Sequence, residues 1–323
     1  MKLLKVGLVA GIQNNSGYET IVRVLSEPEI LEVCTPVLFG SQKKAIQTLK
    51  SIKTEQPVSF NVVKAANEVL DGRINIVDGL ESEADSLSSA IAAYMNNCID
   101  VVAAAPSEII NSTDKHDLTE FIAKAIESET KGLFDWEIND STRALLLHPM
   151  DISENLGEGL AVEAFMNDLT TINKSLRKDY TLIKPRIAVF SSIDKVHKDL
   201  VELREHGVFA FGPFGTEMIS QDKNLPYDAL LFLNEDNAFE LLKKGLNSDK
   251  TFGYVSGLPM VATYILNDTE VCPQNMKEAI YAAIDIFKAR ISYRRATHNP
   301  LEKQWIPRGR DDFKLDLTKE EAE

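Results

Sequence analysis

A chain of 323 residues, 44% hydrophobic and 26% charged, is long enough for two domains of common size with a substantial buried core. Its formal charge of −14 and pI near 4.9 set it against nucleic acid and anionic membranes, because phosphates would be repelled over most of the surface. Small molecules and other proteins are the ligands this leaves.

The opening "MKLLKVGLVAGI" is one short apolar run leading into a Gly turn, which reads as a first strand and not a signal peptide. No run approaches the roughly 18 apolar residues of a membrane helix. "YETIVRVLSEPEIL" follows, with Ile21, Val24 and Leu25 at helical spacing. "TPVLFGS" (35–41), "INIVDG" and "IDVVAAAP" (99–106) are short strands. They alternate with the helices "QKKAIQTLKSI" and "SEADSLSSAIAAYMNN". "DKHDLTEFIAKAIESE" predicts a helix capped by Asp117, with Leu118, Phe121, Ile122 and Ala125 on its inner face. A second series holds strand "TRALLLHPMDI" (142–152), helix "LAVEAFMNDLTTINKSLRKDY", strand "RIAVFSS" (186–192), strand "DALLFLNED" and the strand pair in "TFGYVSGLPMVATYIL". A last helix begins near Pro273 and carries Met276, Ile280, Ala283, Ile284 and Phe287 on one stripe. The charged tail "KLDLTKEEAE" reads as frayed or packed on a partner. Short apolar strands alternating with amphipathic helices require a mainly parallel sheet covered on both faces. With no linker or repeat in view, the chain is expected to cross between two α/β lobes more than once and leave a cleft between them.

In open α/β sheets ligands bind outside the carboxyl ends of strands, so the polar residues after each strand are the candidates. "GIQNNSG" could offer backbone N–H groups to a phosphate or be a plain tight turn; it lacks GxGxxG and GxxxxGK[ST]. His148, after "ALLL", is either a metal or substrate ligand delivered to the cleft or a hydrogen-bonded structural histidine. Asn234, Glu235, Asp236 and Asn237 could supply hard oxygen ligands for Mg²⁺ or Ca²⁺, or cap the next helix. No HxxxH or HExxH pairing and no GxSxG appears. Cys34, Cys98 and Cys272 form no CxxC and leave one over in any pairing, so they read as reduced thiols of a cytoplasmic protein.

The order "GIQNNSGYETI", "VVAAAPSEII", "DLTEFIAKAI", "ALLLHPMDI", "FAFGPFGTEMI", "YDALLFLNED", "VSGLPMVAT" and "HNPLEKQ" resembles, from end to end, the PdxA family of 4-hydroxythreonine-4-phosphate dehydrogenases in pyridoxal phosphate (vitamin B6) biosynthesis. The resemblance implies a two-lobed α/β fold like isocitrate and isopropylmalate dehydrogenases with an interdomain cleft. Residues 1–135 plus about 260–323 would form the first domain and about 136–259 the second. It also implies a homodimer, a small-molecule substrate, NAD, and a divalent metal that polarises the substrate hydroxyl during oxidation.

Carried over residue by residue, the family pattern is altered. Of three metal-ligand histidines His148 matches one; the second falls at Ser191 or Ser192, and the third on Asn234, with Glu235 and Asp236 beside it. In the substrate motif GHTE, Thr119 is kept and Leu118 replaces the His. The family's phosphate lysine falls on Leu242, with Lys243 and Lys244 following, and an Asn and Arg of its GLP stretch fall on Gly253 and Ala262. The cofactor-side loop carries Asn267 and Asp268, Asn267 in place of His. Two functions compete: a dehydrogenase of this family acting on 4-hydroxythreonine 4-phosphate or a related hydroxy acid, with a metal site rebuilt from His148, Asn234, Glu235 or Asp236, and a catalytically degenerate paralogue that binds a small molecule or pairs with an active subunit.

Overall fold

The computed structural model describes residues 3–10, 15–52, 58–80, 82–105, 115–128, 130, 132–140, 143–149, 159–191, 196–215, 226–233, 251–265 and 271–298. Its strands are β1 (Leu4–Val9), β2 (Cys34–Phe39), β3 (Phe60–Val63), β4 (Ile74–Val77), β5 (Val101–Ala104), β6 (Leu133–Asp140), β7 (Arg143–Pro149), β8 (Arg186–Phe190), β9 (Phe209–Phe214), β10 (Ala229–Phe232), β11 (Thr251–Ser256) and β12 (Ala262–Tyr264). The helices are α1 (Asn15–Leu25), α2 (Glu29–Val33), α3 (Gln42–Ser51), α4 (Glu83–Met95), α5 (Lys115–Ala125), α6 (Gly159–Asp179), α7 (Val196–Glu205) and α8 (Pro273–His298). None of them is long and apolar enough to cross a membrane.

All twelve strands join one sheet, in the order β3-β4-β2-β1-β5-β12-β11-β6-β7-β10-β8-β9. One half holds β1 to β5 with β12, the other β6 to β11; the chain crosses over after β5 and returns after β11. Pairing is parallel within the outer parts of both halves, and antiparallel where β6 meets β7 and β11 and where β11 meets β12. The interior strands β2, β4, β5 and β10 are buried along their whole length, which is why they read as unbroken apolar runs. Helices α6 and α8 pack against each other, and α8 lies along β5, β11 and β12. The predicted stripe on α8 is borne out: Met276, Ile280, Ala283 and Ile284 are buried in the core.

Two expectations for α5 are corrected. The helix begins at Lys115, so Asp117 lies inside its first turn and does not cap it. Its inner face is Thr119, Ile122, Ala123 and Ile126, whereas Phe121 is 41% exposed and Ala125 also faces out. The i, i+3, i+4, i+7 pattern was in the sequence, rotated by one residue from the predicted stripe.

Three strands escaped the sequence pattern. β3 and β9 are the two edges of the sheet, where one-sided burial leaves a weak apolar signal. β6, "LFDWEIND", is too acidic to stand out as a strand until its pairing is known.

Candidate functional site

β6 and β7 pair with Trp136 opposite Leu147, and one step along that register Asp135 faces His148. On the other side of β7, Leu231 of β10 is level with His148. Alternation sends Leu147 to one face and places His148 with Leu146 on the other. The same core cluster as Leu146 includes Phe165, Leu169, Ile172 and Leu176 of α6, so α6 covers this face. Asp168 follows Phe165 by three residues on that helix and thereby points toward His148.

The resulting contacts enclose the imidazole. Its Nδ1 lies 2.6 Å from Asp135 Oδ1 and its Nε2 3.8 Å from Asp168 Oδ2. The side chains of His148 and Asp135 are 6% and 0% exposed, and that of Asp168 is 24% exposed. Burial alone would push the ring toward its neutral form, but the charge and hydrogen bond of Asp135, reinforced by Asp168, outweigh it and hold His148 up to about 9. At neutral pH the group is an imidazolium between two acids. The second oxygen of Asp135 is buried without a hydrogen-bond partner.

A zinc ion binds imidazole through a nitrogen lone pair and in catalytic sites takes three protein ligands. Here Nδ1 is hydrogen-bonded to Asp135, while Asp168 faces Nε2 at ion-pair distance. Among the described residues no group of three His, Cys, Asp or Glu side chains is placed to hold a metal. The Asp135 carboxylate on Nδ1 fixes the ring as such a partner does for a ligating imidazole, the Asp168 carboxylate faces Nε2, and Asn234, Glu235 and Asp236 lie outside the described residues.

The other predicted site residues divide sharply. Thr119 is 4% exposed on α5, whose buried residues share the core cluster of Leu147, so it lies on the face of the sheet opposite His148. Asn234, Glu235, Lys243, Asn267 and Asp268, with Ser192, lie outside the described residues. The backbone N–H of Ser191 donates to the Phe214 carbonyl. Gly253 and Ala262 are buried within β11 and β12. Sequence reasoning missed Asp135 and Asp168. An acid on the inward alternation of β6 and another on the apolar stripe of α6 were the available signals.

A separate groove of about 410 Å³ opens at the carboxyl ends of β2 and β4, the edge at which α/β sheets take ligands. Lys43, Asp78, Ile46 and Leu80 give it mixed polar and apolar walls. The first N–H groups of α3 are already engaged there: Gln42 N donates to Asp78 Oδ1 at 2.7 Å and Ser41 N to the Tyr18 hydroxyl at 2.8 Å.

A second buried cluster ties the helices to the sheet. Arg290 of α8 donates through Nε to Asp179 Oδ1 at 2.6 Å and through Nη2 to Asp179 Oδ2 and the Tyr254 oxygen at 3.1 and 2.9 Å. Its Nη1 reaches the carbonyls of Leu258 and Pro259 at 3.0 and 2.7 Å. Tyr254 donates in turn to Asp179.

No family model matches the chain. It is 26% identical to the 4-hydroxythreonine-4-phosphate dehydrogenase of Bacteroides thetaiotaomicron, over 97% of both chains. Among solved structures it is similar to the 4-hydroxythreonine-4-phosphate dehydrogenase of Klebsiella pneumoniae, with TM-score 0.63 and 16% identity over 88% of this chain and 98% of that one. A putative 4-hydroxythreonine-4-phosphate dehydrogenase of Salmonella typhimurium gives TM-score 0.63 and 17% identity, covering 88% of this chain and 100% of the other. The resemblance drawn from motif order thus extends along the whole chain. The expected α/β fold of isocitrate/isopropylmalate dehydrogenase type is shared with these structures.

Proposed function

We infer, from a chain related end to end to a 4-hydroxythreonine-4-phosphate dehydrogenase, that its metal-assisted oxidation chemistry has been given up and the scaffold kept. On this reading the protein is a PdxA-type homologue that acts as a small-molecule-binding or partner subunit. The observation that carries it is the enclosure of His148 by Asp135 and Asp168. With the Asp168 carboxylate facing Nε2, a metal must compete with a proton for that nitrogen, and without the metal nothing on that histidine can polarise a substrate hydroxyl.

Further support comes from the phosphate-binding side. Positions that carry Asn and Arg in the family are Gly253 and Ala262, both buried, and neither can make a charge-assisted bond to a phosphate. The mixed groove beside Lys43 and Asp78 offers a place for a small polar ligand. We read residues 1–135 with about 260–323, and about 136–259, as the two lobes between which the family's cleft would lie.

A second reading is favoured by the name of the relative and by coverage of 97% of both chains. It keeps an NAD-dependent oxidoreductase acting as a homodimer on 4-hydroxythreonine 4-phosphate or a related hydroxy acid. The test is direct: the purified protein with that substrate, NAD and Mg²⁺ or Zn²⁺. We expect no metal-dependent NADH formation above the background of a His148→Ala variant. A robust metal-dependent signal that this variant abolishes would overturn the first reading in favour of the second.

A further inference from the structure

The chain leaves two neighbouring strands, β2 and β4, in opposite directions. They pair in parallel, with Val37 level with Asn75 and Phe39 with Val77. From β2 it passes through α3 to β3 at the edge of the sheet, and from β4 through α4 to β5 on the far side of β1. A right-handed crossover in each direction puts the two helices on opposite faces. The packing agrees: Ala45 of α3 shares a core cluster with Ile21 and Val24 of α1 and with Ile76, whereas Leu87, Ala90 and Ile91 of α4 join the cluster of Val77. Where the helices part in this way, a crevice opens outside the carboxyl ends of the strands, and open α/β sheets take their ligands there. The groove of about 410 Å³ lies at this point. Along the order β2-β1-β5-β12-β11-β6-β7 it stands six strand spacings from the strand of His148, about 29 Å.

The walls of the groove select by chemistry. Lys43 and Ile46 come from α3, Asp78 and Leu80 from the segment after β4. Lys43 and Asp78 bring opposite charges to one groove, yet among the described residues they form no ion pair with each other or with another group. Asp78 accepts the Gln42 N–H through Oδ1 at 2.7 Å, which fixes the carboxylate and leaves Oδ2 open. Ile46 and Leu80 are half-buried and form an aliphatic wall. None of the described residues lining the groove is aromatic, so no ring stacks on a base, and one cation beside a carboxylate is a poor seat for a phosphate dianion. A molecule with one anion, one cation and one aliphatic group answers all four side chains. We propose that this groove binds a free α-amino acid with an aliphatic side chain, its carboxylate on Lys43, its ammonium on Asp78 and its side chain against Ile46 and Leu80. The inference rests on the small-molecule-binding reading and adds the class of ligand.

Calorimetric titration of the full chain with L-leucine, L-leucinamide, N-acetyl-L-leucine and L-serine tests it. Leucine should bind about tenfold or more tightly than each of the others, which lack in turn the carboxylate, the ammonium and the aliphatic side chain. Lys43→Gln should weaken leucine about tenfold and leave leucinamide, which has no carboxylate to lose, unchanged. Asp78→Asn keeps an Oδ1 acceptor for Gln42; it should weaken leucine to a similar extent and leave N-acetyl-leucine unchanged. No binding of leucine, serine or leucinamide binding as tightly as leucine, or parent-like leucine affinity in both variants would overturn the proposal. Such a failure is separate from that of the underlying reading, which metal-dependent NADH formation decides.

Discussion

His148 and Asp135 stand opposite each other on neighbouring antiparallel strands with Nδ1 2.6 Å from Oδ1, and both side chains are shut off from solvent. The pair makes folding sensitive to pH in a known direction. His148 titrates at about 9 when folded against an ordinary value of 6.5, so the folded state holds its proton more tightly than the unfolded chain. The stabilisation is complete below about pH 6.5 and is lost as pH rises toward 9. Urea midpoints should fall across that window, by a few kcal/mol in total, on the order of 3. In His148→Gln the fall should be much shallower; an equal slope in the variant would assign the effect to other groups.

Asp135→Asn keeps the shape of the side chain and removes its charge. An imidazolium left buried beside an amide loses most of what offsets its desolvation, and breaking a buried pair in this way costs about 3–5 kcal/mol. The histidine should then titrate lower, readable by NMR of the ring protons. A variant as stable as the parent, with His148 unmoved, would show that Asp168 alone suffices.

Arg290 is the centre of the strut that joins α8, α6, β11 and the turn before β12. Arg290→Met should cost about 3–5 kcal/mol, because Asp179 and two carbonyls are left buried with fewer donors. Asp179→Asn should be non-additive with it in a double-mutant cycle on denaturant midpoints. Additive losses would mean that the two groups do not act as one unit.

Gly40 leaves room for Tyr18. A Cβ at that position would stand 2.4 Å from the Tyr18 hydroxyl, which accepts the Ser41 N–H at the start of α3. Tyr18 is 1% exposed and has little freedom to retreat. Gly40→Ala should therefore cost about 1–3 kcal/mol in thermal or urea unfolding, with amide exchange at Ser41 accelerated.

Cys34 is buried, and burial pushes its thiol up to about 12, while Cys98 and Cys272 are partly exposed. A thiol reagent at pH 8 should label Cys98 and Cys272 in the native protein and reach Cys34 only after unfolding, since reactivity follows the thiolate and its access. Labelling of Cys34 at the rate of the other two would place it in a part that opens locally.

Much of this protein is determined by the sequence alone. The apolar runs of β2, β4, β5 and β10 are buried on both faces, and that demand is local, so alternation with amphipathic helices was sufficient to predict a covered, mainly parallel sheet. The substitutions that the resemblance implies at Asn234, Leu242 and Ala262 are expectations drawn from motif order alone. What only the tertiary structure decided is where His148 went. His148, Asp135 and Asp168 are close because β6 pairs with β7 in one register and α6 crosses above them. Neither carboxylate belongs to a motif, and β6 could not be seen before its partners were placed. The charge state of a buried imidazole is set by neighbours within a few ångströms, and sequence distance, thirteen residues to one acid and twenty to the other, carries no information about that.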